Sequence, residues 1–133
     1  MKSHSTLTEY TYKITRFILC PIIRFLWVKS HKNVHHITNH KEGAIVVANH
    51  QSFFDFLSLV SVGKRNIHFL SAEKFFKHKL WRILMILTGQ IKVEREATDK
   101  SEVHHATRIH LSKKHLVGIF PEGTRSPSET HML

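Results

Sequence analysis

Apolar residues recur along this chain in two different patterns. Between positions 14 and 26 they recur at helical spacing among basic residues, which predicts an amphipathic helix. Short apolar runs farther along predict strands over 33–38, 43–48, 67–71, 90–94 and 116–120, and the strand over 43–48 is predicted to be fully buried. The segments between them predict helices over 52–62, 72–87 and 99–114. This alternation predicts an α/β fold, with a largely parallel sheet flanked by helices.

The N-terminal helix contains the most apolar stretch of the sequence, FILCPIIRFLWV at 17–28. This stretch is too short to span a bilayer, and it includes Pro21 and Arg24. An apolar stripe flanked by lysine and arginine is typical of helices that lie in a membrane interface. We therefore predict that residues 1–30 form an amphipathic, membrane-associating helix. A helix that packs at the edge of the core is the alternative.

The charge of the chain narrows the class of partner. Twenty lysines and arginines against ten acidic residues give a net charge of +10 with histidine neutral. Such an excess suits nucleic acid, phosphorylated metabolites or an acidic membrane face. The sequence contains no recognised nucleic-acid-binding motif, so we predict anionic lipid rather than nucleic acid as the partner. The single cysteine, Cys20, excludes an internal disulfide and fits a reducing compartment.

Thirteen histidines raise the question of a metal site. Two pairs have i, i+4 spacing, which brings side chains together only on a helix: His31 with His35, and His36 with His40. Their segment is predicted as strand and loop, without cysteine or aspartate nearby. We therefore predict no metal site.

The stretch AIVVANHQSFFD, residues 44–55, places an imidazole and a carboxylate in a strand-to-helix turn. Ser52 is a suitable N-cap, and Asp55 would then reach back toward residues before the cap. In one interpretation these two residues form a capping box and His50 is incidental. In the other, Asp55 fixes the tautomer of His50, whose second nitrogen accepts a proton. No nucleophile motif follows, so this base would act directly on a substrate hydroxyl.

The stretch IFPEGTRS, residues 119–126, also follows a predicted buried strand. Gly123 permits a sharp turn, and Arg125 offers a planar fork that suits phosphate. Glu122 can orient Arg125 or a substrate hydroxyl. A surface turn with an ion pair between these two side chains is the alternative. His50 and Glu122 both follow strands, and sites in parallel sheets gather at the carboxyl ends of strands.

The motifs NHQSFFD and FPEGTRS, with GQIKVER at 89–95 between them, resemble those of the glycerolipid acyltransferase family. The resemblance covers about residues 31–126 and is to the lysophosphatidic acid acyltransferase type. It implies that His50 is the general base, that Asp55 orients it, and that no metal or other cofactor is bound. It also implies four residues that hold the phosphate and glycerol of the acceptor: Arg95, Glu122, Gly123 and Arg125.

The reaction implied by the resemblance is transfer of a fatty acyl group to the free hydroxyl of lysophosphatidic acid, giving phosphatidic acid in phospholipid biosynthesis. The donor would be acyl-CoA or acyl-carrier protein, and no acyl-enzyme would form. Backbone N–H groups of the 50–53 turn are our expectation for the oxyanion stabiliser. We expect the protein at a membrane, on the cytoplasmic face of the inner or cell membrane, in contact with phospholipid.

Family members continue beyond FPEGTRS, so we expect 31–133 to be a partial acyltransferase domain that lacks the C-terminal strands of the family fold. A non-catalytic membrane-binding fragment is the first alternative. An enzyme for another lysophospholipid or for glycerol 3-phosphate is the second. Two sets of side chains each have two alternative roles. Three aromatic residues either line an acyl channel or belong to the core: Phe53, Phe54 and Phe56. Three basic residues face either anionic headgroups or solvent: Lys74, His78 and Arg82.

Overall fold

The computed structural model of the protein describes residues 2–52 and 54–123. Its helices are α1 Lys2–Leu26, α2 His35–Thr38, α3 Asp55–Gly63, α4 Lys74–Lys77, α5 Lys79–Leu87 and α6 Ser101–Ser112. Its strands are β1 Ala44–Val47, β2 Ile67–Ala72, β3 Ile91–Val93 and β4 Leu116–Ile119. Helices therefore alternate with strands through most of the described chain, as the apolar pattern predicts.

The four strands form one parallel sheet in the order β1-β4-β2-β3. The predicted α/β fold with a parallel sheet and flanking helices is confirmed. The centre of the core is formed by Ile67, Phe69 and Leu116, on the two inner strands. Gly118 is required beside them, because a Cβ at that position would lie 2.3 Å from a ring carbon of Phe69.

The prediction of a strand over 33–38 is wrong, because this segment contains the short helix α2. Local hydrogen bonds close its turns, with the Thr38 N–H donating to Val34 O at 3.0 Å and the Asn39 N–H to His35 O at 2.9 Å. Ile37 packs against the core cluster. One partly buried apolar side chain in a single helical turn accounts for the local pattern without a place in the sheet.

The prediction of one helix over 72–87 is also wrong. The chain breaks at His78, whose backbone is extended with φ −81° and ψ 122°, so that α4 and α5 are separate helices. Lys74, His78 and Arg82 therefore do not share one helical face. Strand β1 differs too, because it lies at the sheet edge, where Ile45 and Val47 are exposed. The prediction that it is fully buried is wrong.

Helix α1 packs against α3 and α5, and its side chain Tyr12 reaches the core. Tyr12 is 1% exposed, and its hydroxyl donates to Ile67 O and accepts from Ile67 N–H, both at 2.9 Å. Desolvation raises the pKa of this hydroxyl, which keeps it protonated as a donor. The helix is therefore anchored at the first residue of β2.

The opposite side of α1 presents the predicted apolar stripe to solvent. Phe17 is 83% exposed and Phe25 89% exposed, and the stripe continues through Ile14, Ile18, Ile22 and Leu26. A second exposed apolar set lies on α5, at Leu80, Ile83, Ile86 and Leu87. Among residues 2–52 and 54–123, none of the helices combines the length and apolarity needed to cross a bilayer.

Candidate active site

The turn after β1 brings the predicted base and carboxylate together. His50 Nδ1 lies 3.1 Å from Asp55 Oδ2. A carboxylate accepts hydrogen bonds, so Nδ1 carries the proton and Nε2 of the neutral ring carries the lone pair. Both side chains are partly buried. The ring of His50 stacks on Phe120, with centroids 4.5 Å apart, so its plane is fixed from the β4 side as well.

Asp55 also holds the backbone of the turn. Its Oδ2 accepts the N–H groups of Gln51 and Ser52, each at 2.7 Å. Ser52 Oγ accepts the Phe54 N–H at 3.3 Å. These reciprocal hydrogen bonds resemble a capping box, although the helix begins at Asp55 rather than next to Ser52. Capping and orientation of His50 are therefore done by one carboxylate. Because the Gln51 and Ser52 N–H groups donate to it, these two are not available as the expected oxyanion stabiliser.

His50 lies on the wall of a cleft of about 480 Å³ at the carboxyl end of the sheet. The cleft is bounded by the ends of β2, β3 and β4, as expected for a parallel sheet. Much of its wall is aromatic, from Phe56, Phe69, Phe75 and Phe120. A space of this size, with an apolar wall and a few polar groups, suits a ligand with an extended apolar part.

Arg95 and Gly123, two of the predicted acceptor-binding residues, line the same cleft. Gly123 has φ +64°, the left-handed conformation that glycine adopts without steric cost, and a Cβ there would lie 3.7 Å from Arg95 Nη2. The structure thus places the end of β3 beside the turn after β4. Glu122 is partly buried in that turn, between the lining residues Pro121 and Gly123. Arg125 lies outside the described residues.

Lys74 also lines the cleft, and the sequence analysis did not assign it to the site. It begins α4, just after the carboxyl end of β2, and its Nζ lies 5.4 Å from the centre of the Phe75 ring. Its position just after a predicted strand is a sequence signal that could have assigned it to the site. Together with Arg95 it gives the cleft two cationic groups.

The three phenylalanines of the 53–56 turn have different outcomes. Phe56 lines the cleft and packs edge-on against Phe69, with centroids 6.1 Å apart. Phe54 packs on Trp27 instead, with centroids 4.5 Å apart. Phe53 lies outside the described residues. The structure thus supplies one aromatic side chain from this turn to the cleft.

An imidazole held by a carboxylate, beside a cleft with cationic and aromatic walls, is an arrangement that can activate a hydroxyl group. The family model described as Acyltransferase matches residues 28–133. The chain therefore belongs to the acyltransferase family, the family of the glycerolipid acyltransferases. Its general role is that of a transferase acting in glycerolipid synthesis. A comparison with curated proteins found no match.

Proposed function

We propose that this acyltransferase esterifies the free hydroxyl of lysophosphatidic acid with the acyl group of acyl-CoA or acyl-carrier protein. The observation that carries the proposal is the hydrogen bond between His50 Nδ1 and Asp55 Oδ2 on the wall of the cleft. It leaves Nε2 as the proton acceptor. The motifs around these residues resemble those of the lysophosphatidic acid type within the family.

The reaction follows from the position of that lone pair. His50 Nε2 removes the proton of the acceptor hydroxyl while its oxygen attacks the thioester carbonyl carbon. A new C–O bond forms, and the C–S bond breaks as the tetrahedral intermediate collapses. The proton held by His50 then passes to the departing thiolate. Asp55 stabilises the transient imidazolium, and no covalent acyl-enzyme is required.

The two chemical halves of the acceptor match two parts of the cleft wall. Lys74 and Arg95 supply positive charge for a phosphate group, and guanidinium can engage two phosphate oxygens at once. The aromatic side chains supply an apolar surface for the acyl chains. Glu122 and Arg125 are proposed to complete acceptor binding from the turn after β4, as the family motif implies.

Substitution of the cleft cations tests the identity of the acceptor. We expect Lys74→Ala and Arg95→Lys each to raise the KM for lysophosphatidic acid by about tenfold, because the first loses a charged donor and the second loses the planar fork of the guanidinium, both at exposed positions. The KM for the acyl thioester should change little. Arg125→Lys should behave as Arg95→Lys does. Steady-state kinetics with each substrate varied in turn provides the measurement.

Lys77→Ala is the matched control, since Lys77 lies on the same short helix, is exposed, and pairs with Glu73 across 3.5 Å. It should leave both KM values unchanged. Equal KM values for lysophosphatidic acid in the wild type, Lys74→Ala and Arg95→Lys would refute phosphate recognition by these side chains. If the protein acylated glycerol 3-phosphate or a lysophospholipid with a choline headgroup faster than lysophosphatidic acid, that compound would be the acceptor instead.

The same proposal includes association with a membrane, at the cytoplasmic face of the inner or cell membrane. The apolar stripe of α1 and the apolar side chains of α5 are exposed, and the two helices are in contact. Lys13, Arg24 and Lys29 flank the stripe with positive charge. Such a surface suits the boundary between acyl chains and anionic headgroups.

Removal of two aromatic side chains from α1 tests membrane association without removing the Tyr12 anchor. We expect Phe17→Ser with Phe25→Ser to abolish most flotation with vesicles rich in anionic phospholipid, because both rings are exposed and their apolar area drives insertion. Ile45→Ser with Val47→Ser, on the exposed face of β1, is the control and should float normally. Undiminished flotation of the α1 variant would exclude its stripe as the docking surface.

A further inference from the structure

Three imidazoles meet at the end of the sheet opposite His50. His68 is the second residue of β2, His115 directly precedes β4, and His110 lies in the last turn of α6. The His68 and His110 rings stack with centroids 3.7 Å apart, and the His115 centroid lies 4.9 Å from that of His68. Each ring offers a nitrogen, and these three atoms all lie within 4.8 Å of one another.

We propose that His68, His110 and His115 form a zinc-binding site, distinct from the acyl-transfer cleft. Three imidazole nitrogens and one further ligand, such as water, are an established donor set for Zn²⁺. This proposal departs from the expectation of no metal site. Its three histidines are not members of the i, i+4 pairs His31/His35 and His36/His40 that the sequence analysis considered.

The hydrogen bonds of His68 orient it as a metal ligand. Its Nδ1 lies 2.9 Å from Gly89 O, and because a carbonyl only accepts, Nδ1 must carry the proton. Nε2 therefore carries a lone pair. Among the described residues this Nε2 is buried and has no hydrogen-bond partner, and the residue is 1% exposed. An unsatisfied buried acceptor is unfavourable, and a metal ion would satisfy it.

The other two histidines have a separation that suits tetrahedral coordination. His110 Nδ1 and His115 Nδ1 are 3.4 Å apart. Two nitrogens bound to one Zn²⁺ at tetrahedral angles are separated by roughly 3.3 Å, given Zn–N bonds of about 2.0–2.1 Å. On its other side, His115 Nε2 lies 3.9 Å from Glu9 Oε1. This distance is an ionic contact rather than a hydrogen bond, and a small shift of the partly exposed Glu9 side chain would give the carboxylate partner that ligating imidazoles commonly have.

Burial favours the uncharged form of each ring, which is the form that binds a metal. Desolvation lowers the pKa of His68 to about 3 and that of His110 to about 4, and it also lowers the pKa of His115. The mutual proximity of the three rings disfavours a charge on His68 further.

The donor atoms distinguish zinc from harder cations. Lys13, Arg65 and Lys113 lie close enough to lower the pKa of His115 and would oppose any divalent cation, while Glu9 acts in the other direction. The cluster offers nitrogens, whereas Mg²⁺ and Ca²⁺ are held by oxygen ligands. Zn²⁺ binds imidazole through directed coordination bonds, so it fits this donor set better.

Zinc at this position would have a structural role. Its ligands come from β2, from α6 and from the residue before β4, and Glu9 brings in α1. The cleft lies at the other end of the strands, so the metal would not contact the reacting groups. We expect metal binding to raise stability without taking part in acyl transfer.

Metal titration of the whole protein tests the site. After treatment with a chelator, the protein should bind one equivalent of Zn²⁺ tightly in competition with a chromophoric chelator, and its melting temperature should rise with Zn²⁺ concentration. Co²⁺ in place of Zn²⁺ should give the visible absorption of a tetrahedral nitrogen site. Mg²⁺ should have neither effect. No stoichiometric Zn²⁺ binding by the folded wild-type protein would overturn the proposal.

Variants distinguish this cluster from adventitious binding to the other histidines. His110→Gln and His115→Gln should each weaken Zn²⁺ binding at least tenfold and remove the Co²⁺ absorption. His105→Gln, an exposed position on α6, should leave both unchanged. Binding that survives in the first two variants but is lost in His35→Gln with His36→Gln would place zinc elsewhere and refute the site. Circular dichroism confirms folding, and acyl-transfer assays report separately on the proposed function.

Discussion

Replacement of His50 by alanine should reduce acyl transfer by about 10²–10⁴-fold in kcat while the protein stays folded. The substitution removes the proton acceptor that Asp55 orients. A water molecule in its place would not be held in the same position. His50 is partly buried and its ring contacts Phe120, so the loss of packing should be modest. Single-turnover assays measure the rate, and a melting curve measures the stability.

His104→Ala is the matched control for this substitution, because it removes an exposed histidine of α6. It should have wild-type kinetics. If His50→Ala retained near wild-type turnover, His50 would not be the base and the turn would serve only as a helix cap. A variant that lost activity and also unfolded would be replaced by His50→Gln, which keeps a polar side chain of similar length.

Asp55→Asn should also reduce kcat by roughly 10²–10⁴-fold, with a smaller effect on KM for either substrate. The amide oxygen can still accept the Gln51 and Ser52 N–H groups, so the turn should persist. The amide is neutral, however, and it stabilises an imidazolium poorly. If the amide instead turns its NH2 group toward His50, Nδ1 must accept and the proton blocks Nε2, but the two backbone hydrogen bonds of the turn are then lost. Steady-state kinetics and a urea unfolding curve check the two effects separately.

Two comparisons make the interpretation of Asp55 specific. Asp99→Asn is a control that changes a carboxylate outside the proposed site. Asp99 accepts the Ser101 N–H at 2.8 Å near the start of α6, and its substitution should leave kcat unchanged. The double variant His50→Ala with Asp55→Asn should lose little more than either single variant, because the two residues act as a unit. Fully additive losses would contradict a base oriented by Asp55.

The elements that the sequence predicted well are those with a single strong local signal. The run at 116–120 is continuously apolar and that at 67–71 is rich in apolar residues, and both form the buried centre of the sheet. The predictions failed where tertiary position decides. Apolar residues in β1 do not reveal that this strand lies at the edge. The periodicity of 72–87 continues across His78, where only the backbone shows that one helix ends and another begins.

The site divides in the same way. His50 and Asp55 are five residues apart, and the turn chemistry that joins them is local, so the sequence was sufficient to pair them. The approach of Arg95 to Gly123 depends on which strands end at the same edge, and only the motif resemblance anticipated it. The proposed zinc site has no local sequence signal, because His68 is more than forty residues from His110 and no short spacing connects them.

The order in which the chain is synthesised gives the Tyr12 anchor a further consequence. Its hydrogen-bonding partner, Ile67, follows it by 55 residues, so α1 leaves the ribosome well before β2 exists. During that interval the Tyr12 side of α1 has no sheet to pack against. The stripe that includes Phe17 and Phe25 is already exposed. If the stripe docks on lipid as we propose, this nascent helix can meet the bilayer before it meets its own domain. The bilayer would then be the first surface on which this protein folds, with the sheet assembling afterwards against a helix already in place.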